Sequence, residues 1–167
     1  MKDNKLMPDR VNKILNHDLF AENLMKNKMA EEGRIFCKHN MEHFLDVARL
    51  AMILNLTEGF GVDKELIYAA ALLHDIGRFR QYEEGIPHDK ESARIAPKIL
   101  KECGFNDKET NVIVLAILSH RDAQVREERN LSGLLYRADK MSRNCFACKV
   151  EGQCDWKADK KNLTLQY

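Results

Sequence analysis

The chain has 167 residues, 44% of them hydrophobic and 32% charged, which is enough apolar material for one globular domain with a substantial core. A net charge of +1 argues against a protein that binds nucleic acid polymers or membrane surfaces. No stretch is long and apolar enough to cross a bilayer, and the first residues lead into no signal-peptide core, so we expect a cytoplasmic protein. With only three prolines and eight glycines, the composition favours helices.

Hydrophobic periodicity predicts helices along most of the chain. Asp63 and Asn106 are the expected N-caps of two of them, Gly77 is the expected stop after one, and Pro97 is expected to kink another. The apolar run 112–118 also fits a buried strand, but its cap and its helical neighbours favour a helix. The predicted helices span residues 8–30, 34–54, 64–76, 88–103, 107–118 and 132–141, with a loop at 78–87 and a charged connection at 123–130.

The helix predicted at 64–76 delivers a histidine and an aspartate side by side, His74 and Asp75, after the small and apolar run 69–73. Almost every face of such a helix is buried, and a buried charge without a partner is costly. A metal ion satisfies both side chains, because imidazole and carboxylate are suitable ligands for Zn, Mn or Fe. The alternative is a His–Asp pair hydrogen-bonded to backbone at a helix end.

Four further polar residues stand at the ends of apolar helices: His43, His88, His120 and Asp139. His39 lies four residues before His43, so on a helix the two share one face, with His39 toward the mouth of the buried stripe. Either of these two histidines also fits a core position with a satisfied ring. Several such residues on successive helices indicate a shared polar centre inside a bundle, where metal sites are commonly built.

The order and context of these residues resemble the HD-domain metal-dependent phosphohydrolase superfamily over about residues 34–143. The resemblance rests on His43 followed by Phe-Leu-Asp-Val-Ala-Arg-Leu-Ala, on Leu-Leu-His-Asp-Ile-Gly at 72–77, and on Arg-Ala-Asp-Lys at 137–140. The His–Asp dipeptide alone is a weak signal, whereas its apolar lead-in and the flanking ligands make a specific one.

The fold that follows is an all-α, single-domain helical bundle of the HD-domain type. We expect its core at 34–143, with an N-terminal helix within 1–33 that packs on the domain. Residues 144–167 are expected to form a cysteine-containing tail.

The resemblance also implies ligands for one or two divalent ions, which can be Fe, Mn, Mg or Zn. The ligands implied for the first ion are His43, His74, Asp75 and Asp139. His88 and His120 stand where the six-ligand members place two further histidines, a subgroup that includes symmetrical diadenosine tetraphosphate hydrolases and cyclic-dinucleotide phosphodiesterases. Asp75 would then bridge two ions that generate a hydroxide and neutralise phosphoryl charge. The alternative is one ion, with His88 and His120 on the phosphate.

The implied substrate is a small phosphate ester or anhydride, of a nucleotide or dinucleotide. Arg78 is the expected clamp for its phosphoryl group, because a guanidinium binds phosphate oxygens in pairs, and with Asp75 it is the expected catalytic residue. His39, Arg121 and Lys140 are further candidates for substrate binding, although a solvated surface charge explains Arg121 and Lys140 equally well.

Two other classes of function remain open on the sequence alone. HD-type scaffolds also host di-iron oxygenases, and six N/O ligands suit iron. A nucleotide- or redox-sensing module without turnover is the other class. The sequence indicates no oligomeric state.

The cysteines are not explained by the resemblance. In the cytoplasm thiols or metal ligands are expected rather than disulfides. Cys37 lies six residues before His43 and Cys145 six residues after Asp139, so on continuous antiparallel helices both cysteines lie about 9 Å from the metal, on the same side. Cys103 reads as an ordinary helix-end residue. We hypothesise one thiolate site, for Zn²⁺ or an iron–sulfur cluster, made by Cys37, Cys145, Cys148 and Cys154. The alternative is four free thiols.

Overall fold

The computed structural model describes residues 9–165, and all regular secondary structure in that range is helical, which confirms the predicted all-α class. None of its helices is long and apolar enough to cross a membrane. The α-helices are α1 (Arg10–Leu15), α2 (Asp18–Ala30), α3 (Met41–Thr57), α4 (Lys64–Leu73), α5 (Arg78–Glu84), α6 (His88–Glu102), α7 (Asp107–Ser119) and α8 (Leu131–Met141). Short 3₁₀ helices follow at Ala123–Glu127, Cys145–Ala147, Glu151–Gln153 and Ala158–Lys160.

Helix α4 is the centre of the bundle. It packs against α1, α3, α6, α7 and α8, and residues 69–73 have no solvent-accessible surface. Three consecutive alanines, 69–71, let the neighbouring helices approach closely. The end of α4, and the residues that follow it, therefore lie inside the protein.

The predicted caps agree with the structure. The Asp63 carboxylate accepts the N–H of Glu65 at 2.8 Å. Asn106 and Glu109 form a capping box that starts α7, so the apolar run 112–118 is a helix and not a strand. Both helices therefore begin directly after the residue whose side chain accepts a backbone N–H of the first turn, Asp63 or Asn106.

The single helix predicted at 8–30 is wrong, because α1 and α2 are separate. Asn16 ends the first and His17 caps the second. The Nδ1 of His17 accepts the N–H of Leu19 at 3.1 Å, and its Nε2 lies 2.8 Å from the Glu102 carboxylate. Both helices bury apolar residues in the same core, Ile14 and Phe20, which is why the apolar period runs through the break. Residue 8, the predicted start, lies outside the described residues.

The helix predicted at 34–54 is wrong at its beginning, because α3 starts only after Asn40. The Asn40 side chain accepts the N–H of His43 at 3.1 Å, and residues 34–39 are not helical. Glu31 accepts the backbone N–H of His39 at 2.8 Å, which satisfies that donor without a helix. His39 and His43 are consequently not one turn apart on a common helix. The continuous helix predicted between Cys37 and His43 does not exist either.

The loop predicted at 78–87 is largely the helix α5, which Gly85 ends in the left-handed conformation at φ 71°. Helix α4 correspondingly stops at Leu73, and Gly77 has a φ of −95°, so it is not a left-handed helix stop. A Cβ on Gly77 would lie 2.7 Å from the backbone N of Ser92. Gly77 is thus required because the turn after α4 approaches the backbone of α6.

We expect Gly77→Ala to lower the free energy of unfolding by about 1–3 kcal/mol, since the new methyl group forces backbone apart. Urea unfolding measures the change. Gly33→Ala is the control, because a Cβ there meets nothing within 4 Å. Equal stability of the two variants would contradict the close approach.

Candidate metal centre

Residues from five helix ends meet at one buried point. His43 lies in the first turn of α3, His88 opens α6, His120 follows α7, and Asp139 lies in the last turn of α8. His74 and Asp75 come directly after α4. Their ligand atoms fall into two groups, each with all atoms within 4.8 Å of one another: His43, His74, Asp75 and Asp139, and then Asp75, His88 and His120.

Asp75 belongs to both groups, with one carboxylate oxygen for each. Its Oδ2 lies 3.3 Å from Nε2 of His74 and 3.7 Å from Nε2 of His43. Its Oδ1 lies 3.1 Å from Nε2 of His88 and 3.6 Å from Nε2 of His120. A carboxylate in this position can bridge two ions.

Asp139 closes the first group from the opposite side. Its Oδ1 lies 3.5 Å from Nε2 of His43 and 3.8 Å from Nε2 of His74. Its Oδ2 accepts a hydrogen bond from Nζ of Lys140 at 2.7 Å. One oxygen is therefore held by a lysine, and the other faces the centre.

The outer nitrogen of each histidine has its own partner, which leaves Nε2 directed at the centre. Ser142 Oγ donates to the carbonyl of Asp139 at 2.7 Å and so accepts from Nδ1 of His43. The Nδ1 partners are the carbonyl of Ala71 for His74 at 2.7 Å, the carbonyl of Ile117 for His120 at 2.6 Å, Oε1 of Gln81 for His88 at 2.6 Å, and Oγ of Ser142 for His43 at 3.3 Å. The rings are oriented before any ligand binds.

Four of the inner atoms lack such partners, whereas Nε2 of His88 lies 3.0 Å from Nη1 of Arg78 and 3.2 Å from Nε2 of His120. Nε2 of His43, Nε2 of His74, Oδ1 of Asp75 and Oδ1 of Asp139 are all buried without a hydrogen-bond partner. Leaving buried polar atoms unpaired costs free energy, which a coordinated cation recovers. This set of imidazole nitrogens and carboxylate oxygens fits a divalent transition metal.

The charges of the two groups differ. Burial lowers the pKa of His74, but Asp75 and Asp139 raise it by more, to about 10. Burial lowers the pKa of His88 to about 2, with the Arg78 charge acting in the same direction. Burial would raise the pKa of the Asp75 carboxyl, yet its histidine neighbours hold it well below its usual value. The first group thus carries a proton that a metal has to displace, while His88 is neutral.

His39 joins the centre through a network that the sequence did not reveal. Its Nε2 lies 3.7 Å from Oδ2 of Asp75, and its Nδ1 lies 2.5 Å from Oε1 of Glu31. Tyr82 donates to the same Glu31 oxygen at 2.7 Å. Glu31 is only 2% exposed although it lies in a charged stretch of sequence, so no local signal marks it.

Asn27 of α2 is a second residue that sequence reasoning missed. Its Nδ2 donates to the carbonyl of Asp75 at 2.9 Å, and its Oδ1 accepts the N–H of Phe79 at 2.8 Å. Asn27 is fully buried. It fixes the turn that carries Asp75.

The cationic residues predicted to bind substrate lie around this centre. Arg78 is partly buried, with Nη1 2.7 Å from Nδ1 of His88. Lys140 is partly exposed beside Asp139. The Arg121 side chain is 49% exposed and binds Oδ1 of Asp89 at 3.1 Å, at the rim.

The structure brings three of the four predicted thiolate ligands to one place. Cys37, Cys145 and Cys154 line a cavity of about 80 Å³. Cys148 is exposed and does not line that cavity. In the described part of the chain, no three sulfur atoms lie within 4.8 Å of one another. Cys103 is buried at the end of α6, as expected of a helix-end residue.

Comparison with known proteins agrees with this geometry. The family model described as HD domain matches residues 40–144, which is more than half of the chain. The chain therefore belongs to the HD domain family, a superfamily of metal-dependent phosphohydrolases. No solved structure matches it significantly.

Three similar proteins match different shares of this chain. An uncharacterized protein of Clostridium beijerinckii is 46% identical over 159 residues, which cover 95% of this chain and 99% of that protein. An uncharacterized protein of Methanocaldococcus jannaschii is 39% identical over 89 residues, covering 51% and 46%. Ribonuclease Y of Acetivibrio thermocellus is 35% identical over 102 residues, covering 61% of this chain and 17% of that protein.

Removing one ligand of the second group should abolish one metal site only. We expect His120→Ala to reduce bound Mn²⁺ from about two ions per chain to about one, because Asp75 and His88 alone are a weak site. Equilibrium dialysis with metal analysis measures this. His17→Ala is the control, since His17 lies at the start of α2, outside both groups. Unchanged stoichiometry in His120→Ala would contradict the second site.

Metal binding should release protons. Because the pKa of His74 is about 10 without metal, His74 is protonated at pH 7.5 and must lose that proton to coordinate. Affinity for Mn²⁺ should therefore rise as the pH increases from 7.5 towards the pKa of His74, about 10. Calorimetry in two buffers of different protonation enthalpy should give about one proton released per first ion bound. No proton release would contradict the assignment of His74 as a ligand.

Proposed function

We propose that this protein is a metal-dependent phosphohydrolase that cleaves a phosphate ester or anhydride of a nucleotide or dinucleotide. The observation that carries the proposal is the shared carboxylate of Asp75 between two groups of histidines, with cationic side chains beside each group. Arg78 lies against His88 of the second group, and Lys140 against Asp139 of the first. Positive charge around two ion sites suits an anionic phosphoryl substrate better than a neutral organic one.

We assign one ion to each group of ligands. Bound divalent ions supply Lewis acidity and lower the pKa of a coordinated water. The chain's part is to hold both groups in fixed geometry through the outer partners of the rings. The ligands assigned to the first ion are His43, His74, Asp75 and Asp139, and those assigned to the second are Asp75, His88 and His120.

Arg78 is the residue that we assign to the phosphoryl group. Its Nε donates to the hydroxyl of Tyr82 at 3.2 Å, and that hydroxyl donates to Glu31, so the guanidinium is held in place. A fixed guanidinium binds two phosphoryl oxygens at once and stabilises the charge that develops on them.

The other three candidates for substrate binding lie at different places around the metal centre. Lys140 steadies Asp139 and leaves a partly exposed ammonium beside the first group. Arg121 at the rim is assigned to a more distant phosphate. His39, supported by Glu31, is assigned to the reacting end of the substrate, next to Asp75.

A small nucleotide is the substrate class that we favour. The similar ribonuclease Y is, by its name, an enzyme that cleaves a nucleic acid, whose bonds are phosphodiesters. This chain has a net charge of only +1, which does not favour a long polyanion. Its five free cysteines are typical of the cytoplasm, where we place the protein.

A substrate panel tests the proposal. The protein is loaded with Mn²⁺ or Fe²⁺ and offered nucleoside phosphates, dinucleoside polyphosphates and cyclic dinucleotides. We expect hydrolysis of at least one class, and a loss of about 10²-fold in kcat/KM for Arg78→Ala. Arg126→Ala is the matched control, because the Arg126 side chain is 67% exposed and pairs with its neighbour Glu127, away from both ligand groups.

Other results would contradict the proposal. Oxygen consumption with an organic substrate, without phosphate chemistry, would show the oxygenase class. Tight nucleotide binding without turnover in the metal-loaded protein would show a sensing module. Equal activity of Arg78→Ala and Arg126→Ala would remove Arg78 from the reaction.

A further inference from the structure

The segment after residue 144 lies outside the HD domain match and holds three of the five cysteines. It folds back on the end of α8. The side-chain amide of Asn162 donates to the carbonyls of Lys140 at 2.7 Å and Arg143 at 2.9 Å. The N–H of Phe146 donates to the carbonyl of Asn162 at 2.9 Å. The segment is thereby anchored next to the metal centre.

Consecutive tight turns place its cysteines at regular steps. The N–H of Cys148 donates to the carbonyl of Cys145 at 3.1 Å. The N–H of Glu151 donates to the carbonyl of Cys148 at 3.3 Å, and the N–H of Cys154 to the carbonyl of Glu151 at 3.1 Å. Each cysteine thus begins or ends a turn, and the backbone coils around a small volume.

A further thiol lies at this cavity, from the segment before α3. Cys37 lines the cavity together with Cys145 and Cys154. Its carbonyl accepts a hydrogen bond from Nε of Arg34 at 2.9 Å. Cys148 is exposed and lies one tight turn after Cys145, since its N–H donates to the carbonyl of Cys145.

The cavity is positively charged. Arg143 lines this cavity together with Cys37, and its guanidinium lies 4.3 Å from the centroid of the Trp156 ring. Lys161 lines the same cavity and donates to Oε1 of Glu151 at 2.7 Å.

The spacing of the sulfurs distinguishes between kinds of metal site. Four thiolates around a single zinc, at about 2.3 Å from it, lie roughly 4 Å from one another. Across the described residues, no three sulfurs are within 4.8 Å of one another. A cluster in which sulfide bridges several iron atoms accepts ligands that are farther apart.

We propose that Cys37, Cys145, Cys148 and Cys154 hold a [4Fe–4S] cluster, which fastens the C-terminal segment beside the metal centre. Arg143 joins the two sites, because its Nη2 lies 3.8 Å from Oδ1 of Asp139. The cluster site does not depend on the phosphohydrolase proposal, since none of its ligands belongs to the two groups of the metal centre.

Chemical analysis of the full-length protein tests the cluster. The protein is purified without oxygen and, in parallel, reconstituted with iron and sulfide. Acid-labile sulfide is the decisive quantity, because iron at the histidine centre contains none. We expect about four sulfides per chain and a broad visible absorption. Cys148→Ser should lose both, and its C-terminal segment should be cleaved faster by a protease.

Cys148 is exposed, so its replacement leaves the core intact. Cys154→Ser is a second variant with the same expected loss. Cys103→Ala is the matched control and should keep the sulfide, because Cys103 lies in the core at the end of α6. Absence of sulfide after reconstitution, stoichiometric zinc bound by the same cysteines, or full sulfide in Cys148→Ser would each overturn the proposal.

Discussion

A buried carboxylate surrounded by imidazole rings is the interaction on which the structure depends. Asp75 is 2% exposed at the centre of the bundle, and an unpaired charge there would cost several kcal/mol. Five Nε2 atoms, those of His39, His43, His74, His88 and His120, lie between 3.1 and 3.7 Å from its two oxygens. To bring those rings together, α3, α4, α6 and α7 must all direct one end to the same point. The arrangement of the helices is thus inseparable from the chemistry of the site.

Parts of the chain outside the family match support that centre from both sides. Asn27 of α2 holds the carbonyl of Asp75, and Glu31 holds His39 against it. At the other end, Asn162 fastens the last segment to the end of α8. Within the match, Arg143 connects Asp139 to the cavity of the cysteines. The part of the chain that matches the family model contains both groups of candidate ligands, and the flanking segments form hydrogen bonds that support them.

Sequence reasoning identified all six residues that the structure gathers into the two groups. Each of them stands at the end of an apolar helix, and their order along the chain resembles that of the HD-domain superfamily. It missed Asn27 and Glu31, since polar residues in polar stretches become buried only through contacts far along the chain. It also placed the start of α3 too early. Before α3 the backbone N–H of His39 donates to the side chain of Glu31, eight residues earlier, and not to a helical carbonyl. Hydrophobic periodicity does not predict such a bond. The α5 helix was missed because seven residues are too few to show a period.

Anomalous diffraction from crystals grown with Mn²⁺ shows whether Asp75 stands between two metal ions. We predict two peaks about 3.5–4 Å apart, the separation usual in two-metal hydrolases. One peak should lie beside Oδ2 of Asp75, near His43 and His74, and the other beside Oδ1, near His88 and His120. A single peak at saturating Mn²⁺, or two peaks on the same side of the carboxylate, would contradict the account.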